Sequence, residues 1–371
     1  MANEDKATHY HRLHRRAGLG ATVLGVLFLV VVSVTGAAAS LGASLHEWLG
    51  SSRALAAAAF ASVLVLAHEL LSLPFAYYRG VTLERRYGLS SESLAHWWGT
   101  HLKALILGGL LTVLAAVVLA SLLAWSPGRW WLFAAMLFGA LLVGMAWAAP
   151  VWLFPIFYDF RPLERPDLTS RLVNLSRRVG APVSGVYEWR LGDRTRKANA
   201  ALVGLGDTRR ILLSDTLLAT HSDDEIEVIL AHELAHQVHR DLWTTLALQI
   251  AIVTVAFYAA ARVLGVLPGS LGISDMPTEV EQLPMLALVT GAVSFALSPV
   301  AHALSRAHER RADRFAIERT GNAAAFMSAI RRLSLQNLAE EKPPAWVEAL
   351  LHSHPSTARR LEYARRFAER T

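Results

Sequence analysis

The sequence predicts a mostly α-helical, multi-span membrane protein with a second, more polar part that contains a small β-sheet. Three observations carry this. Hydrophobic residues make up 53% of the 371 residues and charged residues only 18%, and mean hydropathy is +0.34, too apolar for an ordinary soluble chain. The excess is gathered in runs of about 20 residues or more, the length of helix that crosses ~30 Å of hydrocarbon. Residues 158–240 interrupt those runs and are soluble in character. The chain has no cysteine, which excludes disulfides and thiolate metal sites. The net charge of +6 is modest, and in a membrane protein basic residues mark cytosolic segments. The expected partner is therefore the lipid bilayer, with no nucleic acid.

The elements follow in chain order. A first span is expected at 17–45, longer than the apolar core of a cleavable signal and followed by further spans. A second runs over about 54–78, a third over 104–125, and a fourth over 130–157 after the tight turn Ser126-Pro127-Gly128-Arg129. The polar segment holds a helix over 168–179, β-like stretches at 199–205 and 210–213, and a helix over 223–240. Ser222 followed by Asp223, Asp224 and Glu225 is a strong start for that last helix. A fifth span covers about 242–264, then a loop at 267–282 with Asp275, Glu279 and Glu281 and no basic residue. A sixth covers 285–304 and continues as helix through Glu318, and the tail 321–371 reads as short amphipathic helices. The chain divides into a membrane part with four spans, 1–157, and a part with two further spans, 158–371.

Basic residues set the orientation. Arg12, Arg15 and Arg16 precede the first span, Arg79, Arg85, Arg86 and Lys103 lie between the second and third, and 161–240 holds many more. An even number of spans then places both termini and the polar segment in the cytosol.

The tetrapeptide AHEL occurs twice. In the second copy His232-Glu233-Leu234-Ala235-His236 is HExxH on a predicted helix. Histidines four apart share one helical face and can reach one ion. Neutral imidazoles suit zinc, and the intervening glutamate can act as a general base on a water that the ion activates. This points to a zincin-like catalytic part. The first copy, His68-Glu69-Leu70-Leu71-Ser72, lacks the second histidine and sits in an apolar span. It is either a buried polar pair or part of a cavity lining.

A catalytic zinc needs a third protein ligand. The stretch after the motif, HQVHRDL, does not supply the usual third histidine. Downstream, Glu309 and Asp313 share a helix face in Ser305–Asp313. They are either a solvated charged face or a third ligand, Glu309, with Asp313 orienting a zinc histidine through its other ring nitrogen. His302, His308 and His239 are rival ligands. His354, in Ser353-His354-Pro355, is either a surface histidine before a helix with proline in its first turn or part of the site.

Taken together, HELAH, SRAHERRADRFA, NAALVGLGDTRRILLSDTLL, SHPSTARRL, LERRYGLSSESLAHW and FPIFYDFRPLERPDL resemble the integral-membrane zinc metalloproteases of the CAAX prenyl protease 1 type, over about residues 75–365. The resemblance implies one zinc on His232, His236 and Glu309, with Glu233 as catalytic base. It implies that Asn199 and Ala200 begin an edge strand that takes the substrate backbone, and that His354 and Arg360 flank the site. His354 would donate to the oxyanion, with Arg360 holding the site by charge-assisted hydrogen bonds. The implied fold is a ring of helices around an intramembrane chamber, although eukaryotic members have seven spans and six are counted here. The implied reaction is peptide hydrolysis, either CAAX-type C-terminal processing or wider clipping of membrane-associated peptides or misfolded membrane proteins, so the implied partner is a peptide or membrane-protein substrate. Heat-shock-type membrane quality-control proteases share the zinc motifs and are the alternative family. A non-catalytic scaffold or a transporter is the alternative outside enzymes, and the intact HExxH with its downstream glutamate argues against both.

Overall fold

The computed structural model describes residues 3–50, 52–204, 206–270 and 278–369. Helix α1 (Asn3–Val34) is followed by the short α2 (Ala37–Leu49). Helix α3 (Arg53–Tyr77) passes through a π-helical turn, Tyr78–Leu83, into α4 (Glu84–Arg86). Next come α5 (Leu94–Trp125) and α6 (Trp130–Ala148), the latter continuing through a second π-helical turn, Ala149–Leu153, into α7 (Phe154–Phe157). The polar part holds β1 (Phe160–Pro162), α8 (Pro166–Arg178), β2 (Gly185–Trp189), β3 (Ala200–Val203), β4 (Arg210–Ser214), α9 (Asp215–Thr220) and α10 (Asp223–Val238). The chain re-enters the apolar layer as α11 (Asp241–Ser270) and α12 (Leu283–Thr320), and ends in α13 (Ala323–Gln336), α14 (Ala345–Leu351) and α15 (Thr357–Ala368). Among the described residues six helices are long and apolar enough to cross a membrane.

The apolar run predicts one span over 17–45, but the chain turns earlier. Gly36 sits at φ 76°, a left-handed conformation that glycine adopts without a Cβ clash. The helix ends at Val34 and restarts as α2, so the span is Lys6–Val34. Its polar N-terminal turns are packed rather than loose. Ala7 and Tyr10 are buried with Leu83, Tyr87, Leu89 and Leu338, and Lys197 Nζ reaches Glu84 at 3.0 Å. Of the acidic loop, Asp275 lies outside the described residues, while Glu279 pairs with Arg53 at 3.7 Å.

The sheet has the order β1-β2-β4-β3. β2 and β4 are parallel, and β1 and β3 flank them antiparallel. β3 and β4 correspond to the two predicted stretches, although Leu205 lies outside the described residues. β1 and β2 were not legible, because β1 is only three residues long and both carry charged residues among the apolar ones. One core packs Leu168, Leu172, Ile211, Leu213, Ile226, Leu230 and Phe326 under the sheet. A second packs Phe60, Leu119, Leu123, Trp130, Phe257 and Leu286 among the spans.

The first AHEL copy lines a cavity of about 720 Å³ between the spans. Glu69 accepts from His101 Nε2 at 2.7 Å, and His68 stands beside it in the lining. The pair therefore belongs to a cavity wall and not to a packed interior.

The path of the spans places residues 37–50 and the polar part at opposite ends of the bundle. Single cysteines at the exposed Glu47 and at Asp193, whose side chain is 81% exposed, should react with an impermeant maleimide from opposite faces of sealed vesicles. Reaction of both from one face would contradict the topology.

Candidate active site

The site begins with α10. Ser222 caps the helix and Glu225 returns the bond, so two otherwise unpaired backbone donors are satisfied. Ile226, Leu230 and Leu234, four residues apart, are fully buried and fix the rotation of the helix. That rotation carries His232, Glu233 and His236 to the wall of a pocket of about 410 Å³. The two imidazoles stand nearly perpendicular, at 86°, with centroids 5.0 Å apart.

The polar extension of α12 crosses this face. Glu309 places one oxygen 3.2 Å from His232 Nε2 and the other 3.6 Å from His236 Nε2. One ligand atom from each of these three residues can be chosen with all of them within 4.8 Å of one another. Glu309 Oε2 is buried and accepts no hydrogen bond of good geometry, although buried carboxylate oxygens rarely go unpaired. Two imidazole nitrogens and a carboxylate oxygen with open space beside them are the donor set of a catalytic metal site, so the residues fit a metal ion. Burial disfavours a charged His232 ring, but Asp313 and Glu309 outweigh it and push its pKa up to about 10. Burial also raises Glu233 above the ordinary carboxylate range, against the pull of His232 and His236.

Each imidazole is held from behind. His232 Nδ1 lies 3.0 Å from Asp313 Oδ1. Arg360, on α15, grips Asp313 with two bonds, Nη2 to Oδ1 at 2.5 Å and Nε to Oδ2 at 2.9 Å. His236 Nδ1 lies 2.8 Å from Asp241 Oδ2. Sequence reasoning missed Asp241. The signal was a carboxylate five residues past the second histidine, and it becomes meaningful only through the break between α10 and α11. There Arg240 adopts φ 58° and the turn folds Asp241 back onto the ring. Arg311 pairs with the other Asp241 oxygen.

The rival histidines are engaged elsewhere. His302 bonds the Leu350 carbonyl, His308 bonds Thr244, and the His239 ring packs against Phe315. His354 is exposed, with its Nδ1 2.8 Å from Ser353 Oγ and its Nε2 3.2 Å from Glu309 Oε1. It lines the same pocket, as do Arg360, Asn199 and Ala200.

Asn199 opens the edge strand. Its carbonyl accepts from Ser214 N at 2.9 Å, and its own N–H donates to Ser214 Oγ. Alternation along an antiparallel ladder then turns the backbone groups of Ala200 and Leu202 away from β4. Asn337, also missed from sequence, bonds both the N–H and the carbonyl of Ala198 and so sets the strand entrance.

HExxH completed by a glutamate from a second helix, at one end of a six-span bundle, defines a membrane-embedded metallopeptidase. Residues 162–368 match the model of peptidase family M48, and residues 2–159 match the CAAX prenyl protease N-terminal model, described as five membrane helices. The chain belongs to peptidase family M48. It is 27% identical over 326 residues to the uncharacterized metalloprotease YhfN of Bacillus subtilis, covering 86% of this chain and 76% of that one. It is also 27% identical over 300 residues to a probable CAAX prenyl protease 1 of Schizosaccharomyces pombe, covering 80% of this chain and 63% of that one. The crystal structure of S. mikatae Ste24p shares the fold, with a TM-score of 0.82 at 22% identity over 97% of this chain and 88% of that one.

Two predictions follow from the geometry. Glu309→Ala should lose the bound metal on purification, whereas Glu233→Gln should keep it and lose turnover, as metal analysis beside a cleavage assay would show. Asp241→Asn should weaken metal affinity by about 10–100-fold, as loss of a ligand-orienting carboxylate does. A chelator competition would measure it.

Proposed function

We propose that the protein is a zinc endopeptidase whose site opens at the cytosolic membrane face and cleaves peptides near the C-termini of membrane-associated chains. The grouping of His232, His236 and Glu309 carries the reading. These residues would hold zinc, which when bound would supply Lewis-acid chemistry toward the scissile carbonyl and the attacking water. Glu233 faces the same pocket and takes the proton from the attacking water, then passes it to the leaving amine. Attack creates an oxyanion, and His354 stands at the pocket mouth to donate to it, while Arg360 keeps Asp313 and His232 in place. The substrate backbone adds to the outer edge of β3 at Ala200 and Leu202, a common mode of peptide capture.

The names of relatives support CAAX-type processing as the substrate class. The cytosolic orientation is supported by Arg12, Arg15, Arg16, Arg79, Arg85 and Arg86 at the catalytic end of the spans. We place the boundary between the membrane part and the peptidase part at 157/158.

His354→Phe should retain metal and KM and lower kcat about 100-fold or more, the usual cost of one oxyanion donor. Steady-state cleavage of one peptide, with metal quantified in both proteins, tests this. An unchanged kcat would reject the role. Ala200→Pro removes an outward N–H at a sheet edge, where proline is tolerated. It should raise KM while leaving the metal bound, and an unchanged KM would reject strand addition.

A further inference from the structure

The short helix before His354 has an apolar face that nothing in the described residues covers. α14 is seven residues long and buries Val347 and Glu348 against the rest of the protein. Trp346, Ala349 and Leu350 are exposed, at the i, i+3, i+4 spacing of one helical face. Trp346 is 64% exposed, and Leu351 beside this face is exposed as well.

The level of this helix is set by α12. His302 Nδ1 donates to the Leu350 carbonyl at 2.8 Å, and Arg306 donates to the carbonyls of Glu348 at 3.0 Å and His352 at 2.7 Å. His302 ends the apolar part of the sixth span. The exposed Val300 and Phe295 precede it by two and seven residues, which is about 3 Å and about 10 Å along the helix at 1.5 Å per residue. Leu350 therefore sits where the apolar surface of α12 gives way to the charged run Arg306–Arg311. A second, independent observation points to the same end of the bundle. Trp98, Trp152 and Trp243 are exposed, and each lies near the catalytic-domain end of a span. Tryptophan collects where a bilayer meets water, and the exposed Trp346 lies at this end as well, although α14 does not span.

We infer that α14 is an interfacial helix whose apolar face, Trp346, Ala349 and Leu350 with Leu351 alongside, is occupied by lipid at the headgroup–acyl boundary. The surface it extends is the apolar exterior of α12. Exposed Lys342, just before the helix, is placed to reach lipid phosphates while its alkyl stem covers apolar surface. Ser353 and His354 follow Leu351 within three residues. The loop that carries His354 over the pocket is thus tethered to the membrane surface, which favours scissile bonds presented close to that surface.

The cysteine-free chain allows a direct test. Ala349→Cys keeps Trp346, and it and Asp193→Cys each receive one environment-sensitive dye in the full-length protein in lipid nanodiscs. The dye at 349 should be quenched several-fold more strongly than the dye at 193 by a nitroxide lipid labelled near the headgroup. It should also be quenched several-fold less by aqueous iodide. Trp346→Cys should give the same pattern. Iodide reaching 349 as readily as 193 would overturn the inference. Shielding from iodide without quenching by the lipid, which a second copy, a partner protein or a bound peptide would produce, would also overturn it.

Discussion

The site depends on one crossing, that of α10 by the polar extension of α12. Neither helix holds a complete metal site. α10 supplies two imidazoles on one face, and α12 supplies the carboxylate that closes the set, with oxygens 3.2 Å and 3.6 Å from the ring nitrogens. What locks the crossing is the buried chain Arg360–Asp313–His232, which ties α15, α12 and α10 together. Asp313 is 2% exposed, so removing one member of that chain would leave an uncompensated charge indoors, at a cost of about 3–5 kcal/mol. The same groups therefore serve stability and ligand geometry.

The rest of the architecture brings that crossing to a membrane surface. α12 is one continuous helix of 38 residues, so Glu309 and the sixth span are parts of the same rod. α11 likewise begins at Asp241, the residue that orients His236. Movement of either span would be felt directly at the grouping of His232, His236 and Glu309. The edge strand β3, proposed to take the substrate backbone, is coupled in a similar way. Lys197, two residues before Asn199, is held by Glu84 at the end of the second span, and Asn337 clamps Ala198 from α13's end.

Much of this was legible in the sequence. The span pattern, the HExxH helix with its capping residues and the Glu309/Asp313 pair follow from periodicity, spacing and cap chemistry. What was not legible depends on breaks and on short elements. Gly36 splits an apolar run that hydropathy reads as one span, because hydropathy carries no φ angle. Asp241 lies beyond a left-handed Arg240, and spacing along a helix says nothing across such a turn. β1 and β2 are stabilised by neighbours remote in the chain, so their residues show little local pattern. The choice among Glu309, His302, His308 and His239 as third ligand was open from residue types alone, and helix phase decides which of them faces α10.

The central claim is that two histidines and one glutamate, and no third histidine, gather on one metal ion. X-ray absorption at the metal edge of the purified, metal-loaded protein reads this directly. The account predicts scattering from two imidazole rings, with the remaining near neighbours all oxygen. Multiple scattering that requires three imidazoles would contradict it, because it would place His302, His308, His239 or His354 on the metal and remove Glu309 from the role on which the arrangement of α10 and α12 rests.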